Sequence, residues 1–527
     1  MAQYNVAEPF LVSVQAHPDK TAVVFDGREI TYRAMNDRIN QMAGVLSCDL
    51  GIQPGDRVAY LLPNCPELLE LYYAVQKIGA VAVPLNYKLI PREVAYLTNA
   101  SGSGALVFAS QFAASVAEAA RSFTSDVALV SAGGHVSGAL DLERACAGRS
   151  TAEPPLFRDP DALSRIQYTG GSTGLPKGAA RTHGADLVEL DAIMDSNGIG
   201  DDPDNVVLIQ CPLEHHGGHS WFTIAFAAGA TLVICEAFNA EQILHFIEFY
   251  RVTYMILLPP TTYLRLLRCP TIDQCDLSSV RLVQSAAGAT TKPIIQAIYD
   301  KFPNAVLNYG WGQSESGAGS SLKITRAMLE ADSPLLESVG RPMKHVEMKV
   351  VDGDGNEVPD GEEGAICVTG LKEAYPPGLF VGYYRDEERT REAVGGEYYN
   401  LHDMAWRDSD GYCFFVGRND DVIKCSGYRI GPFEIESVLL THPAVHEVAI
   451  TAAPDPIRGQ VVCASIVLSE GFAGTPELTK ELQTYVKRLT APYKYPRVVR
   501  YVEELPKTVS GKISRARIRA GEDAKNG

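Results

Sequence analysis

The glycine-rich segment from residue 168 to residue 178, Tyr-Thr-Gly-Gly-Ser-Thr-Gly-Leu-Pro-Lys-Gly, has the clearest potential for chemistry in this sequence. It follows a predicted strand, Leu163 to Tyr168. Glycines let the backbone adopt positive φ and bring N–H groups close to a ligand. The hydroxyls and the lysine add donors and positive charge, so the segment suits the phosphates of a nucleotide. The candidate ligands are Thr169, Gly170, Gly171, Ser172, Thr173, Gly174 and Lys177.

This segment is not a Walker A loop, because Lys177 follows a proline and no hydroxyl comes after it. Taken alone, it could also be an ordinary glycine-rich turn. Four further segments make it specific. They are Trp311 to Glu315 (Trp-Gly-Gln-Ser-Glu), His402-Asp403, Gly417 to Asp421, and Pro506 to Lys512 (Pro-Lys-Thr-Val-Ser-Gly-Lys).

Together these five segments resemble the adenylate-forming superfamily of acyl-CoA synthetases, luciferases and adenylation domains of peptide synthetases. The type is closest to fatty or medium-chain acyl-CoA synthetases. Motifs similar to those of the family run from Thr31-Tyr32 to Lys512, so the resemblance covers nearly the whole chain. Two departures stand out: Gly170 replaces a common serine, and Leu401-His402 precedes Asp403 where the family usually has Thr-Gly.

Activation of a carboxylate by ATP brings two anions together, so the site must neutralise their repulsion and stabilise charge at the α-phosphorus. The resemblance implies that residues 169–177 hold the β- and γ-phosphates. It also implies that Glu315 binds Mg²⁺ together with phosphate oxygens, and that Lys512 is the main catalytic cation. From the residues alone, Glu315 could be a surface residue and Lys512 part of a solvated basic tail.

The resemblance assigns the remaining nucleotide contacts as well. Trp311 would lie against adenine, although a core tryptophan is the alternative, and Asp403 would accept both ribose hydroxyls. The other candidates are Ser314 at the α-phosphate, Arg418 near the hinge, and Gly288, Gly312, Lys424 and Arg429.

The second half-reaction requires Lys512 to leave so that a thiol can attack. The resemblance implies that the C-terminal domain rotates about Asp420 and brings in residues 424–432. Ser426, Gly427 and Tyr428 are then candidates for CoA binding, with the glycine giving room to the pantetheine arm and Arg429 contacting phosphate. A simple β-turn is the competing interpretation of Ser426-Gly427.

The resemblance places the acyl pocket along residues 211–221, 285–290 and 309–313. Its candidate residues are His215, which is also a catalytic candidate, and Gly218, Ala287, Tyr309 and Gly312. Acetyl-CoA synthetases have a tryptophan at the position of Gly312, so we expect an acid larger than acetate or propionate. No acidic residue aligns with the ammonium-binding aspartate of amino-acid-activating domains, which argues against an amino acid.

Three histidines in this region, His215, His216 and His219, stand beside Glu214 and raise a zinc site as an alternative. The family has a Pro-x-x-His-x-x-Gly element here that lines the acyl site without metal, and it is matched by Pro212, His215 and Gly218. These histidines could instead bind a hydroxyl or a second carboxylate of the substrate. An aliphatic medium- or long-chain acid and an aromatic or alicyclic acid both remain open.

Alternating helical and strand-like patterns must position these residues. Helices are predicted over 67–77 and 92–98, and strands over 80–83 and 105–108, which indicates parallel sheets covered by helices. We expect an α/β protein with a large, multi-subdomain N-terminal domain, residues 1–419, and a small mobile α+β C-terminal domain, residues 420–527. A length of 527 residues favours more than one core.

The bulk composition excludes several classes of protein. A formal net charge of −17 argues against a nucleic-acid surface. The first 20 residues do not resemble a secretory signal, and the apolar run 221–235 is shorter than a bilayer span. The 11 cysteines contain no C-x-x-C pair, which favours a reducing cytoplasm. A homodimer is compatible with the sequence but not indicated by it.

We therefore expect an AMP-forming carboxylate–CoA ligase that uses ATP, Mg²⁺ and CoA and acts on a small-molecule acid. The alternative acceptor is the phosphopantetheine of a carrier protein. A third alternative, an inactive nucleotide-binding relative, is disfavoured because all the catalytic candidates are present.

Overall fold

The computed structural model describes residues 3–169, 176–200, 202, 204–288, 290–371, 375–418, 421–425, 428–455, 458–507 and 513–521. The side chains of residues 424, 428, 429 and 492 are outside this description.

Strands occur throughout the chain. They are β1 (Thr21–Phe25), β2 (Arg28–Thr31), β3 (Arg57–Leu61), β4 (Val81–Pro84), β5 (Ala105–Ala109), β6 (Ala128–Ala132), β7 (Leu140–Asp141), β8 (Leu163–Thr169), β9 (Lys177–Thr182), β10 (Val206–Ile209), β11 (Thr231–Ile234), β12 (Tyr254–Ile256), β13 (Leu282–Ser285), β14 (Val306–Gln313), β15 (Gly317–Ile324), β16 (Arg341–Pro342), β17 (Met348–Val351), β18 (Gly364–Val368), β19 (Gly382–Tyr383), β20 (Tyr399–Arg407), β21 (Cys413–Arg418), β22 (Ile423–Cys425), β23 (Tyr428–Ile430), β24 (Val445–Asp455), β25 (Gly459–Leu468) and β26 (Val498–Tyr501).

Helices alternate with these strands. They are α1 (Glu8–Ala16), α2 (Tyr32–Gly44), α3 (Pro66–Lys77), α4 (Pro91–Ser101), α5 (Ala113–Ala120), α6 (Leu142–Cys146), α7 (His183–Asn197), α8 (His216–Ala227), α9 (Ala240–Phe249), α10 (Pro260–Leu267), α11 (Lys292–Lys301), α12 (Arg326–Glu330), α13 (Glu387–Val394), α14 (Pro432–Leu440), α15 (Pro476–Leu489) and α16 (Arg515–Arg519), with short helical turns at Val45–Asp49, Ser110–Phe112, Ile272–Gln274, Pro334–Glu337 and Pro492–Lys494.

The N-terminal part is built on two large sheets that are parallel in their centres. The nine-stranded sheet has the order β16-β15-β14-β13-β12-β10-β11-β1-β2, and the eight-stranded sheet has the order β19-β9-β8-β4-β3-β5-β6-β7. Antiparallel pairs occur at their edges, where β15 pairs with β14 and β9 pairs with β8. A four-stranded antiparallel sheet, β17-β18-β20-β21, completes this part.

The largest core cluster joins both large sheets, because it contains Val207 and Ile209 of one and Val58 and Tyr60 of the other. Aromatic side chains of the intervening helices fill the space between them. Phe226 of α8, for example, makes an edge contact with Phe10 of α1 at 5.6 Å between ring centroids. Aromatic pairs in this arrangement contribute about 0.5–1.5 kcal/mol of stability beyond that from the burial of their surface.

The C-terminal part has a sheet and a core of its own. Strands β23-β22-β25-β24, with β26 beside β25, form a five-stranded sheet, and a separate cluster packs it against α14 and α15. The two parts touch where Arg268, which directly follows α10, donates hydrogen bonds to the backbone oxygens of Leu440 and His442. The predicted fold class is confirmed. Residues 419 and 420 lie outside the described residues, so the boundary at 419/420 and the hinge at Asp420 stay predictions.

Most individual elements agree with the sequence-based predictions. The helices expected over 67–77 and 92–98 are α3 and α4, and the strands expected over 80–83 and 105–108 are β4 and β5. The apolar run 221–235 covers most of α8 and the following β11, not a membrane span. No helix in the described residues is long and apolar enough to cross a membrane.

Candidate active site

The two ends of the predicted phosphate loop are joined by a β-hairpin. Thr169 ends β8 and Lys177 begins β9, and the two are direct partners in the antiparallel register. Gly170, Gly171, Ser172, Thr173 and Gly174 lie outside the described residues. The Lys177 ammonium stands 5.1 Å from the ring centroid of Tyr383, which is within the range of a cation–π contact.

Glu315, the predicted magnesium ligand, is buried in the turn between β14 and β15. Its Oε1 accepts a hydrogen bond from the Tyr383 hydroxyl at 3.2 Å, and its backbone oxygen accepts one from Phe380 N at 2.8 Å. Tyr383 therefore contacts both Lys177 and Glu315. Burial raises the pKa of the Tyr383 phenol, so it remains a neutral donor. A fixed carboxylate beside the phosphate-loop hairpin fits the oxygen ligands of Mg²⁺. Ser314 is half-buried in the same turn.

Asp403, the predicted ribose ligand, lies in a cluster of donors. Its Oδ2 accepts hydrogen bonds from Trp311 Nε1 at 3.0 Å and from Gln313 Nε2 at 2.9 Å. Its Oδ1 lies 3.2 Å from Nη1 of Arg418, the register partner of Asp403 on β21. Within the described residues, this buried Oδ1 accepts no well-aligned hydrogen bond. Burial raises the pKa of Asp403, while Arg418 and Gln313 oppose the rise. An oxygen that faces a cation but lacks a well-aligned donor can accept a hydrogen bond from a ribose hydroxyl.

His402 precedes Asp403 in the left-handed backbone region, with φ of 59°. Non-glycine residues adopt this conformation at a cost of about 1–2 kcal/mol. This backbone conformation explains why the family usually has glycine at this position. The present chain adopts the same conformation with histidine.

The candidate acyl-site residues come from three segments. His215 directly precedes α8, and its Nε2 lies 3.4 Å from Asn86 Nδ2. Tyr309 is buried and donates a hydrogen bond to the backbone oxygen of Gly288 at 3.0 Å. Ala287, next to Gly288, has a positive φ of 62°.

Two predicted pocket glycines have packing reasons of their own. A Cβ on Gly312 would lie 2.3 Å from the backbone oxygen of Gly317, across the β14–β15 hairpin. A Cβ on Gly218 would lie 2.1 Å from the backbone oxygen of Pro212. Such contacts exclude a side chain whatever the substrate. The larger acyl pocket inferred from Gly312 therefore stays a prediction.

The three histidines near the start of α8 have different surroundings. His216 Nε2 lies 2.8 Å from Glu189 Oε1, whereas His219 packs edge-on against Tyr72 and Phe222, and neither of its ring nitrogens has a hydrogen-bond partner in the part of the chain that the structure describes. No group of three or more potential metal ligands exists among the described residues. The described geometry therefore gives the zinc alternative no support.

A buried ion network was missed by the sequence analysis. Arg165 of β8 and Arg181 of β9 each bond to Asp186 of α7, and Arg181 also bonds to Glu189 of the same helix. All four side chains are less than 5% exposed. Two features of the sequence could have indicated this network. The strands that flank the phosphate loop each contain an arginine, and the helix that follows carries two acidic residues one turn apart.

Glu214 was also missed as a titratable group. It is 2% exposed, neither carboxyl oxygen has a hydrogen-bond partner among the described residues, and burial raises its pKa to about 7.

The predicted C-terminal site residues are only partly described. Lys512, Asp420, Ser426 and Gly427 lie outside the described residues, as do the side chains of Lys424, Tyr428 and Arg429. On either side of residues 508–512, Lys507 and Ile513 form an antiparallel bridge. Farther along, Arg515 bonds to Glu436 at 2.6 Å and Arg519 to Asp421 at 2.6 Å.

Comparison with known proteins supports the same assignment. The AMP-binding enzyme family model matches residues 10–384, and the AMP-binding enzyme C-terminal domain model matches residues 434–512. The uncharacterised acyl–CoA ligase YtcI of Bacillus subtilis (strain 168) is 31% identical, over 99% of this chain and 96% of YtcI. The human mitochondrial acyl-coenzyme A synthetase ACSM5 is 33% identical, over 94% of this chain and 85% of ACSM5.

A similar solved structure is that of the anthranilate CoA ligase AuaEII in complex with anthranoyl-AMP. It has a TM-score of 0.88 and 26% sequence identity, and the match covers 98% of this chain and 97% of that one. The chain therefore belongs to the AMP-binding enzyme family, and the AMP-forming acid–CoA ligase chemistry with ATP, Mg²⁺ and CoA, expected from its sequence, is confirmed.

Proposed function

We propose that this enzyme converts a carboxylic acid larger than propionate into its acyl-AMP and then transfers the acyl group to CoA. The observation that carries the nucleotide-binding part of the proposal is the Asp403 cluster, whereas the size of the acid rests on the resemblance at Gly312. A buried carboxylate whose Oδ2 is fixed by Trp311 and Gln313, and whose Oδ1 lies 3.2 Å from Arg418 without a well-aligned hydrogen bond, is a preformed anchor for a ribose hydroxyl.

In this proposal the nucleotide extends from Asp403 toward the hairpin of Thr169 and Lys177. Glu315 would hold Mg²⁺, which supplies positive charge to the phosphate oxygens. Tyr383 fixes the Glu315 carboxyl and lies under the Lys177 ammonium, so both groups that neutralise phosphate charge are held in place before ATP binds. Such preorganisation is the usual source of electrostatic catalysis.

We also propose that Lys512 promotes adenylation and then leaves by rotation of residues 420–527 about Asp420. The two family models support this division, since one ends at residue 384 and the other begins at residue 434, on either side of the proposed hinge. Residues 424–432 would then face the thiol of CoA. A lysine suits the first role because its compact charge can reach both the carboxylate and the α-phosphate.

The acid belongs to one of two classes, medium- or long-chain aliphatic or aromatic and alicyclic. The similarity to an anthranilate CoA ligase supports the aromatic class, and the similarity to ACSM5 is compatible with either. A panel containing both classes, assayed by acid-dependent pyrophosphate exchange and then by CoA-dependent AMP release, tests the proposal. Absence of exchange with every acid would contradict it.

Lys512→Ala should lower the rate of pyrophosphate exchange by about 10²–10³-fold. Lys507→Ala is the matched control, because Lys507 lies in the same segment but pairs with Glu447 at 2.7 Å. Equal exchange by wild type and Lys512→Ala would remove Lys512 from the mechanism.

Three finer points belong to the same proposal. Competition between CoA and a carrier protein for one supplied acyl-AMP distinguishes the two acceptors.

A cytoplasmic location is supported by the 11 cysteines, all of them free. A homodimer stays a prediction, which sedimentation velocity tests.

A further inference from the structure

We propose that Glu189, together with Arg181, is a positioning residue for adenylation. It holds the turn that carries Glu315 and the start of α8 in a fixed relation to the hairpin that carries the phosphate loop. This inference rests on the roles of Glu315 and residues 169–177 in the proposed function.

Glu189 is bonded to three segments of the site. Its Oε1 accepts hydrogen bonds from Ala318 N at 3.1 Å and from His216 Nε2 at 2.8 Å, and its Oε2 accepts one from Arg181 Nη2 at 2.8 Å. Ala318 follows the Glu315 turn, His216 begins α8, and Arg181 lies on β9. The contact with the turn is close, because a Cβ on Gly317 would be 2.7 Å from Glu189 Oε2.

Arg181 adds a second connection to Glu315. Its Nη1 donates a hydrogen bond to the backbone oxygen of Gly378 at 3.0 Å. In the same segment, Phe380 N donates to the backbone oxygen of Glu315 at 2.8 Å, and Tyr383 donates to its carboxyl. Glu189 thus holds the chain just after the proposed magnesium ligand, and Arg181 holds the segment that is hydrogen-bonded to that ligand.

The network is electrically balanced. Arg165 Nη2 lies 2.9 Å from His216 Nδ1, and a guanidinium can only donate, so Nδ1 is an unprotonated acceptor. Nε2 then carries the proton and donates to Glu189, which leaves His216 neutral. Two arginines face two carboxylates, Asp186 and Glu189.

Stability alone is a weak reason for such a network. Replacement of a buried ion group by apolar side chains of similar volume is often neutral or stabilising. The contacts of the network with the phosphate-loop hairpin, the Glu315 turn and the acyl-site helix give it a positioning reason instead. Misplacement of a reacting group by 1 Å can cost about 10²-fold in rate.

The test separates the two half-reactions. Glu189→Gln keeps the size of the side chain but removes the charge and one acceptor oxygen. It should lower the turnover rate of pyrophosphate exchange by about 10–100-fold and raise the Mg²⁺ concentration needed for half-maximal rate. Transfer from supplied acyl-AMP to CoA involves neither Mg²⁺ nor the β- and γ-phosphates, so it should fall by a smaller factor than pyrophosphate exchange.

Glu153→Gln is the matched control. Glu153 pairs with Lys77, which is 0% exposed, and it contacts Asn36 and Asn40 away from the proposed site. This variant also removes the carboxylate from a buried cation, although Lys77 keeps its hydrogen bonds to Asn36 and Asn40, and it should change neither half-reaction.

Glu189→Asp tests the inference if Glu189→Gln fails to fold. It keeps the charge balance but is too short to bond both Arg181 and Ala318, so it should show the same split between half-reactions with a smaller loss. The inference is overturned if folded Glu189 variants exchange pyrophosphate like wild type, lose both half-reactions equally, or behave like Glu153→Gln. Each of these outcomes is defined relative to a wild type that exchanges pyrophosphate. If the wild type shows no exchange with any acid, the proposed function fails instead.

Discussion

Glu189 and Glu214 are both 2% exposed, yet their surroundings are opposite. Burial by itself would raise the pKa of Glu189, but His216 and Arg181 outweigh it and hold that pKa well below its usual range. The Glu214 carboxyl has no well-aligned donor among the described residues, and burial raises its pKa to about 7 because its own backbone N–H and Lys88 oppose the rise only in part. The charge of a buried carboxyl is therefore decided by its donors and not by its depth.

The largest expected effect comes from removing the main cation that Glu189 faces. Arg181→Met should lower the free energy of unfolding of the large domain by about 3–5 kcal/mol, because it leaves Glu189 buried without its arginine. Urea unfolding followed by tryptophan fluorescence measures this, since Trp221, Trp311 and Trp406 all precede the proposed hinge.

Arg33→Met is the control for that substitution. Arg33 and Asp19 form a 3.0 Å ion pair, but their side chains are 58% and 82% exposed. We expect a loss of less than about 1 kcal/mol. Similar losses for the two variants would show that burial of the network does not matter to stability.

Glu214→Gln should change the pH dependence of stability in the opposite direction to Glu189→Gln. Because the folded pKa of Glu214 is raised, its protonated form stabilises the fold fully below the pKa of an unfolded glutamate, near 4.5, and this contribution is lost as pH rises to about 7. Above pH 7, Glu214→Gln should be more stable than wild type by an amount on the order of 3 kcal/mol. The two proteins should be equal near pH 4.5.

Glu189→Gln should change the pH dependence of the free energy of unfolding with the opposite sign in the same measurement. The pKa of Glu189 is lowered in the folded state, so its contribution is present above pH 4.5 and is lost as pH falls further. The cost of Glu189→Gln should therefore be greatest at neutral pH. Equal pH slopes for the two glutamine variants would contradict the contrast between the two sites.

The sequence predicted the elements, but it named Glu214 only beside the histidines of the zinc alternative and did not single out Glu189. The hydrophobic period was enough to locate α3, α4, β4 and β5, because each period depends on local sequence. The Glu189 contacts depend on how β9, α7, α8 and the β14–β15 turn pack together. Local patterns in a single sequence do not reveal contacts between segments that are so far apart along the chain. For the same reason, Gly312 was interpreted from a family comparison, whereas its contact with Gly317 becomes visible only across a paired hairpin.

The smallest expected effect comes from removing one hydrogen-bond donor to Glu189. It tests whether Glu189 has more donors than it needs to stay ionised. Ser220 Oγ lies 3.3 Å from Glu189 Oε1 and also donates to the backbone oxygen of His216 at 2.9 Å. Ser220→Ala should lower the free energy of unfolding by less than about 1.5 kcal/mol, because Arg181, His216 and Ala318 still donate to the carboxylate. Urea unfolding at several pH values should give the wild-type pH slope.

Thr223→Val is a suitable control for Ser220→Ala, because the Thr223 hydroxyl lies on the same helix and bonds only to the backbone oxygens of His219 and Ser220 among the described contacts. The difference between the two losses isolates the bond to Glu189. If Ser220→Ala cost as much as Arg181→Met, or raised the pH at which the Glu189 contribution is lost, the charge of Glu189 would depend on every donor. A small loss with an unchanged slope would show that the cation and two N–H groups are sufficient to keep a buried glutamate ionised, the condition that Glu214 lacks.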